Sequence, residues 1–353
     1  IVELPLDGRN PAELVYVAPG AVNGATSTNA IGLPGSGSGF PNQGQETAAS
    51  VNGSRMGGVY YMLDGVTHMD NYFQNANPFP NPDATQEFRV ITNNFDAQYG
   101  YTSGAVVSIA TRSGTNQWHG VGFEFLRNNV LNATDFFTHI ADPLKRNQFG
   151  GSVGGPIKHD KLFVFGNYQA TIEHIAIASS SDFVPNNNML NGDFSQIPLQ
   201  LHDPQGVPYP NNQIPVSSFS PISLKLEQGL PKTSDPNGNV VLTGRNQINN
   251  GQEFTVRSDY YFTDKQHISV RYFWDDFNRP AFNGNGNYLN SDRSALARSN
   301  NGDFDYTWSI RPNLVNDFRL GYNRINSTTT PGLVQPDGKP LSPEALGANI
   351  PQL

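Results

Sequence analysis

After Gly114 the chain alternates two classes of side chain with a period of two. Phe254, Val256, Tyr260 and Phe262, interrupted only by Ser258, make one row apolar, while Glu253, Thr255, Arg257 and Asp259 fill the positions between them. In an extended strand this places one class of side chain on each face. A short turn, Thr263-Asp264-Lys265-Gln266, follows. Ile268, Val270, Tyr272 and Trp274 then oppose His267, Ser269, Arg271 and Asp275, completing a hairpin with the same division of faces. The device repeats with Phe304, Tyr306, Trp308 and Ile310 against Asp303, Asp305, Thr307 and Ser309. After a turn at Arg311-Pro312-Asn313, Phe318, Leu320 and Tyr322 oppose Asp317, Arg319 and Asn323. Earlier segments, Val121–Leu126, Gln148–Gly154 and Leu162–Ile172, read the same way and bring the count to about seven strands.

The first 115 residues have a different texture. Gly58–Leu63 reads as a strand closed by the turn Asp64-Gly65, and Phe88–Thr92 and Gly104–Thr111 as two more. Between these two, Asn94–Tyr99 suits a helix with Gly100 as its C-cap. The result is a small mixed α/β unit. Ahead of it, Leu14–Val17 is a short apolar stretch, and Gly35-Ser36-Gly37-Ser38-Gly39 is a flexible loop by composition. Those glycines do not make a phosphate cradle, because Phe40-Pro41-Asn42 supplies no helix after them.

Alternation alone suits a soluble sandwich as well. The connections discriminate better. Short turns (Lys158-His159-Asp160, Asp264-Lys265, Pro312-Asn313) alternate with long Asn-, Gly- and Pro-rich excursions over about 173–251 and 276–299. Outer-membrane barrels are built with short periplasmic turns and long extracellular loops. Loops of that length are uncommon in compact soluble domains. Aromatics near strand ends, such as Tyr260, Tyr261, Trp274 and Trp308, fit interfacial girdles.

Composition agrees. Hydrophobic residues are 37% and charged residues 15% of the 353, below the usual ~45–50% and ~25% of soluble domains. With 35 Gly and 26 Pro, the balance falls to the small polar residues that line a watery lumen and build surface loops. A net charge of −8 without a Lys/Arg cluster excludes the footprint of a nucleic-acid binder. The absence of cysteine removes disulfides, thiolate metal sites and Cys nucleophiles. No stretch approaches the ~18 apolar residues of a membrane helix, whereas barrel strands need only ~9–11 residues of alternating polarity. Ile1–Pro5 lack a basic n-region and an apolar h-region, so a secretory signal is expected to be upstream or removed. In hydrocarbon every backbone polar group must be paired, so the strands require a closed sheet. A barrel wide enough to hold a plug has ~22 strands, and the rest are expected outside these residues.

Particular blocks carry a resemblance. These are Leu4–Asn10 with Pro19-Gly20; Val51–Arg55 with Tyr61–Val66; and Thr85–Val90 through Ala97–Gly100 to Gly104–Asn116. They continue with Trp118-His119-Gly120, Phe125–Asn128, Arg146–Ile157 and Asn191–Ser195. In this order they resemble TonB-dependent receptors with an Oar-like barrel, which more often have Asn where Asp7 stands. The resemblance implies a mixed fold: a small α/β plug domain over 1–115, then antiparallel transmembrane β-barrel strands of an incomplete barrel over 116–353. It also implies a cell outer-membrane location, outer-membrane lipid around the wall, a TonB-type energising protein as partner, and passage of a large solute. A TonB box and further barrel strands are expected beyond the two ends of these residues. Siderophore, glycan, peptide and exported protein all remain open as cargo.

Candidate chemistry is sparse. One His and two carboxylates in Asp64–Asn71 suggest a metal or acid–base site, against the alternative of a polar plug loop. Asp235–Asn239 starts like a Ca²⁺ loop, but Asn246 stands where a bidentate Glu belongs. No HExxH or HxH pattern occurs, so no catalytic residue, metal or cofactor is assigned and the chain does not read as an enzyme. His68, Asp70, Tyr72, Phe73 and Phe79 are candidates for ligand contact on a plug loop, the alternative being packing against the barrel wall. Arg55, Glu87, Arg89 and Arg112 are candidates for pairing with lumen-facing barrel residues. Two rivals to transport stay open: a structural or adhesive surface protein within a larger assembly, and a soluble β-rich binding module.

Overall fold

The computed structural model describes residues 4, 6–23, 49–55, 57–71, 74–92, 95–99, 102–134, 136, 139, 144–330, 332 and 340–348. Tyr72, Phe73, Gly100 and the Gly35–Gly39 loop lie outside them. The chain divides into two compact units, Ile1–His174 with Ile248–Arg279 and Ala295–Thr328, and Ile175–Gln247 with Pro280–Ser294 and Thr329–Leu353.

In the first unit the N-terminal segment forms a four-stranded sheet. Its strands are β1 (Val59–Leu63), β2 (Val66–Thr67), β3 (Thr85–Ile91) and β4 (Ala105–Thr111), in the order β2-β1-β4-β3. β1 and β4 run parallel, with Val59 opposite Ala105 and Leu63 opposite Ile109. The Asp64-Gly65 turn that joins β1 to β2 has φ of 50° and 81° at its two residues. Positive φ at both positions is what a two-residue hairpin turn demands, and Asp-Gly tolerates it best. Of the helix expected over Asn94–Tyr99, Asn94 lies outside the described residues, and the rest holds one 3-10 turn, Ala97–Tyr99, because so short a segment cannot offset the cost of nucleating a helix. Val59, Tyr61, Leu63, Val107 and Ile109 form the core with Ala12, Val15, Met69 and Phe79.

The same unit holds seven long strands: β5 (His119–Arg127), β6 (Lys145–Lys158), β7 (Leu162–Ile177), β8 (Arg245–Thr263), β9 (Gln266–Arg279), β10 (Ala295–Arg311) and β11 (Leu314–Thr328). Each pairs with the next in sequence. Among the described residues the sheet is open, with β5 and β11 at its edges. All but β5 exceed the ~9–11 residues needed to cross a bilayer, so the ladder continues beyond the hydrocarbon. At each short turn the register slips, between Pro156 and Lys158, Tyr261 and Thr263, and Ser309 and Arg311. Bulges of this kind are how strands bend at a barrel rim.

The distribution of burial decides between barrel and sandwich. Glu253, Thr255, Asp259, Arg271, Asp275, Ser299, Asn301, Asp303 and Asp305 are buried. On the opposite face Val256 is 52% exposed, Val270 46%, Leu320 64% and Tyr322 52%. A soluble sandwich would bury the apolar row and wet the polar one. Here the order is inverted, as it is in a wall whose outer solvent is lipid.

In the second unit the long excursions fold. The first and last residues of each extend the flanking strands, to Ile177 and from Arg245, and to Arg279 and from Ala295. Between them Ser180–Phe183 pairs with Asn239–Leu242 and short helices form at Asn187–Leu190 and Pro221–Glu227, while a third, Pro343–Leu346, follows β11; each has an Asn or Ser cap. Val184, Val240, Leu242 and Leu289 make a small core. Arg245 pairs with Asp292 at 2.7 Å and lies over the Phe282 ring.

Candidate functional site

The four-stranded sheet lies against the polar face of β8 to β11, and the seam between them is built outward from the Asp64-Gly65 turn. The turn aims the Asp64 carboxylate back at its own sheet, where Thr111 donates its backbone N–H to Oδ1 and its hydroxyl to Oδ2, both at 2.8 Å. The carboxylate is therefore fixed before any barrel residue meets it. Arg271 of β9, fully buried, donates Nε to Asp64 Oδ2 at 2.9 Å, Nη2 to Leu63 O at 3.1 Å and Nη1 to Asn301 O at 2.8 Å. Arg257 of β8 donates to Thr111 O at 3.1 Å and forks onto Asp259, which also accepts from the Ser113 hydroxyl at 2.8 Å. A buried ion pair holds only when its remaining hydrogen-bonding groups are satisfied, and at Asp64–Arg271 Thr111 and Leu63 of the N-terminal sheet and Asn301 of β10 supply those partners.

Further polar contacts follow the seam. Glu253 accepts from Asn81 through both backbone and side-chain N–H, and Asn81 also reaches Asn167 at 2.7 Å. Arg9 pairs with Asp83, donates to Gln169 at 3.2 Å, and sits over the rings of Phe123 and Phe125 at 4.5 and 4.3 Å. Asn301 donates to Thr67 O at 2.9 Å and Asn323 to Met69 O at 3.0 Å. The apolar part is narrow: among the described residues, Phe273 of β9 is the one strand residue of the barrel wall that enters the core cluster, against the His68 ring at 5.6 Å.

The seam is incompletely closed. A cavity of about 680 Å³ opens between the sheet and the wall, lined by Asp64, Gly65, Arg257, His267, Asp303 and Arg319 among others. Elsewhere along the wall the buried Asp275 Oδ1, Ser299 Oγ and Thr255 Oγ1 have no hydrogen-bond partner. Buried polar groups left in this state are destabilising, by about 1–3 kcal/mol each.

The sequence-predicted residues are distributed differently. His68 is fully buried, its Nε2 2.6 Å from Pro78 O and its ring 4.6 Å from that of Phe79. Burial pushes its pKa down to about 3, aided by the Arg271 charge and opposed by the Pro78 hydrogen bond. Phe79 and Asp70 are buried beside it, so none of these three reaches solvent in this conformation. Tyr72 and Phe73 are outside the described residues. Among the described residues no three His, Asp or Glu side chains gather as a metal site. Arg55, Glu87 and Arg89 are exposed, and Arg112 donates to Thr85 O inside its own sheet. The ties to the wall come instead from Arg9, Asp64 and Asn81, because turn and loop residues, not β3, meet the barrel. Sequence reasoning missed them. The available signal was two isolated arginines, Arg257 and Arg271, on the inward face of β8 and β9, which demand a partner.

Long strands apolar outside and polar inside, with a small sheet docked on the polar face, define an outer-membrane β-barrel receptor fold. The family model described as "Outer membrane beta barrel domain" matches residues 110–352, and the chain belongs to that family. Its place is the cell outer membrane. Over 135 residues it is 30% identical to the TonB-dependent transporter Oar of Myxococcus xanthus, an alignment covering 36% of this chain and 13% of Oar. Among solved structures it is similar to the outer membrane transporter YddB from Escherichia coli, with TM-score 0.52, 12% identity, and 92% of this chain and 38% of that one covered. The siderophore receptor PirA from Pseudomonas aeruginosa aligns at TM-score 0.48 and 11% identity, over 88% of this chain and 41% of PirA. The chain thus spans well under half the length of each of these proteins.

Proposed function

We propose that residues 1–115 are a plug and residues 116–353 part of the barrel around it, in an outer-membrane transporter that admits a large solute when a TonB-type protein pulls on the plug. The buried Asp64–Arg271 pair carries this reading. A charge pair dehydrated between two modules stabilises little compared with an apolar contact, but it fixes one docked register and is lost as a unit when the modules part. The 680 Å³ cavity supports it further, since water entering there reaches Asp303 Oδ1, a buried oxygen that docking leaves without a hydrogen-bond partner. Solute identity is left open between siderophore, glycan, peptide and exported protein, because the five loop candidates, His68, Asp70, Tyr72, Phe73 and Phe79, include no described side chain open to solvent.

The test is reconstitution of the intact protein in vesicles with and without the energising complex. Solute passage that depends on that complex, and that stops when a disulfide ties the plug to β9, is the expected result. Passage of no solute class under energised conditions would remove the proposal. An adhesive role is the second reading, favoured by the exposed Phe183 and Val241 on the two paired strands of the second unit. It predicts surface adhesion that is lost on deleting 178–244 while the barrel persists.

A further inference from the structure

We propose that the bilayer-facing wall holds a binding groove for an anionic glycerophospholipid of the inner leaflet of the outer membrane. Phe262, Ile268, Phe304, Tyr306 and Phe318, with Gln266 at one end, line a groove of about 430 Å³ on the outward face of β8 to β11. That volume falls within the ~300–1,000 Å³ of small-ligand clefts. Register makes the floor continuous, with Ile268 opposite Tyr306 and Tyr306 opposite Phe318. The Phe304 and Phe318 rings meet nearly edge-on at 6.4 Å. Gln266 follows the turn directly, and Phe304, opposite Val270, lies four residues further along the strands. At ~3.4 Å per residue the groove runs from headgroup depth roughly 14 Å along the strands.

The polar end carries the sign that selects the occupant. Lys265 and Arg311 are exposed on adjacent short turns, which the Ser309 N–H joins by donating to Lys265 O at 2.9 Å. The neighbouring turn adds exposed Lys158 and Lys161, and the Tyr261 N–H ties it in by donating to Lys161 O at 2.7 Å. Four cations thus face two anions, Asp160 and Asp264, at this rim, in a chain whose net charge is −8. An acyl chain of any lipid fits the aromatic floor, but only an anionic head gains from the rim. Because this face is in the membrane, its occupant is a lipid of the adjoining leaflet.

Native mass spectrometry of the purified full-length protein, titrated separately with dioleoyl phosphatidylglycerol and dioleoyl phosphatidylethanolamine, tests the inference. The wild type is expected to retain phosphatidylglycerol preferentially. Lys265→Gln with Arg311→Gln should weaken that lipid roughly 30-fold, about fivefold per cation, and leave phosphatidylethanolamine unchanged. Phe304→Ala with Phe318→Ala should weaken both lipids. Circular dichroism checks that each variant keeps its β-sheet, and the charge variant changes only exposed turn residues. Equal retention of the two lipids by the wild type, a preference that survives in the charge variant, or unaltered binding in the folded groove variant would each overturn the assignment.

Discussion

Replacing Asp64 by Asn keeps the size of the side chain and removes its charge, which isolates what the Asp64–Arg271 pair contributes. In the wild type the carboxylate accepts from Thr111 N, Thr111 Oγ1 and Arg271 Nε, all within 2.9 Å. An amide retains one acceptor oxygen, so its Nδ2 replaces either Oδ2, facing Arg271 Nε and the Thr111 hydroxyl, or Oδ1, facing the Thr111 backbone N–H, and either way donor meets donor. Arg271 keeps its bonds to Leu63 O and Asn301 O but becomes a cation of zero side-chain exposure without its nearest counter-charge. Removing one partner of a buried pair costs about 3–5 kcal/mol. Taking the lower value, because Asp303 remains nearby, the population in which the N-terminal sheet is detached rises by roughly a hundredfold. The chain has no cysteine, so Ala105→Cys, at a fully buried position of β4, reports detachment through its rate of thiol alkylation in detergent. Combining Asp64→Asn with Arg271→Met should recover much of the loss, since no unpaired charge is then buried. An alkylation rate that changes less than about fivefold in Asp64→Asn, or a double variant that loses the sum of the single losses, would refute the argument.

Three further outcomes are expected. His68 folds neutral with a pKa of about 3, below the ordinary ~6.5 of the unfolded chain, so its contribution is present above pH 6.5 and is lost as pH falls toward 3; about 2 kcal/mol should be gone by pH 5. His68→Gln should flatten that dependence in urea titrations of the N-terminal sheet, and a dependence unchanged in this variant would exclude His68 as its origin. Phe273→Ala should destabilise docking by about 3–5 kcal/mol in the same titrations, because Phe273 is fully buried and joins the wall to the core; a loss below about 1 kcal/mol would mean that the polar contacts suffice. Gly65→Ala adds a Cβ at φ 81°, into space the Arg319 guanidinium occupies, and should lower stability by about 1–3 kcal/mol, while an unchanged melting temperature would show that the turn relaxes freely.

The strand pattern was readable in sequence to the extent that lipid wrote it. Period-two alternation located all seven long strands, because an outward face in hydrocarbon must be apolar at every second residue. The same argument explains why strand ends were missed. Arg245–Asn250 alternates nothing, since above the bilayer neither face needs to be apolar, yet the ladder of β8 begins there. β6 was shortened to Gln148–Gly154 for another reason: its glycines lower strand propensity, and Gly155 is needed because the Trp118 indole fills the place of a Cβ. The seam was least legible. Asp64 explains itself locally as the first residue of an Asp-Gly turn, so nothing in the sequence near it signals a partner 207 residues away. Arg55, Glu87 and Arg89 attracted attention as plug charges, but they are exposed on β3 and the segment before β1, away from the seam.

The composition of the seam bears on whether docking is reversible. Two domains held by a broad apolar interface separate only by exposing that surface to water, at about 25 cal/mol per Å². Here, among the described residues, a single ring, Phe273, enters the core cluster from the wall strands. Polar attachments are Asp64 with Arg271, Asn81 with Glu253, Arg9 with Gln169, Arg257 with Thr111 O, and the amides of Asn301 and Asn323 on backbone carbonyls. Each of these exchanges a protein partner for water when the seam opens, so its net contribution is near 1 kcal/mol, although its geometry admits one register only. Such a seam is specific without being strong. A sheet attached in this way can return to the same position after displacement, as the proposed gating would require and a permanent structural filler would not.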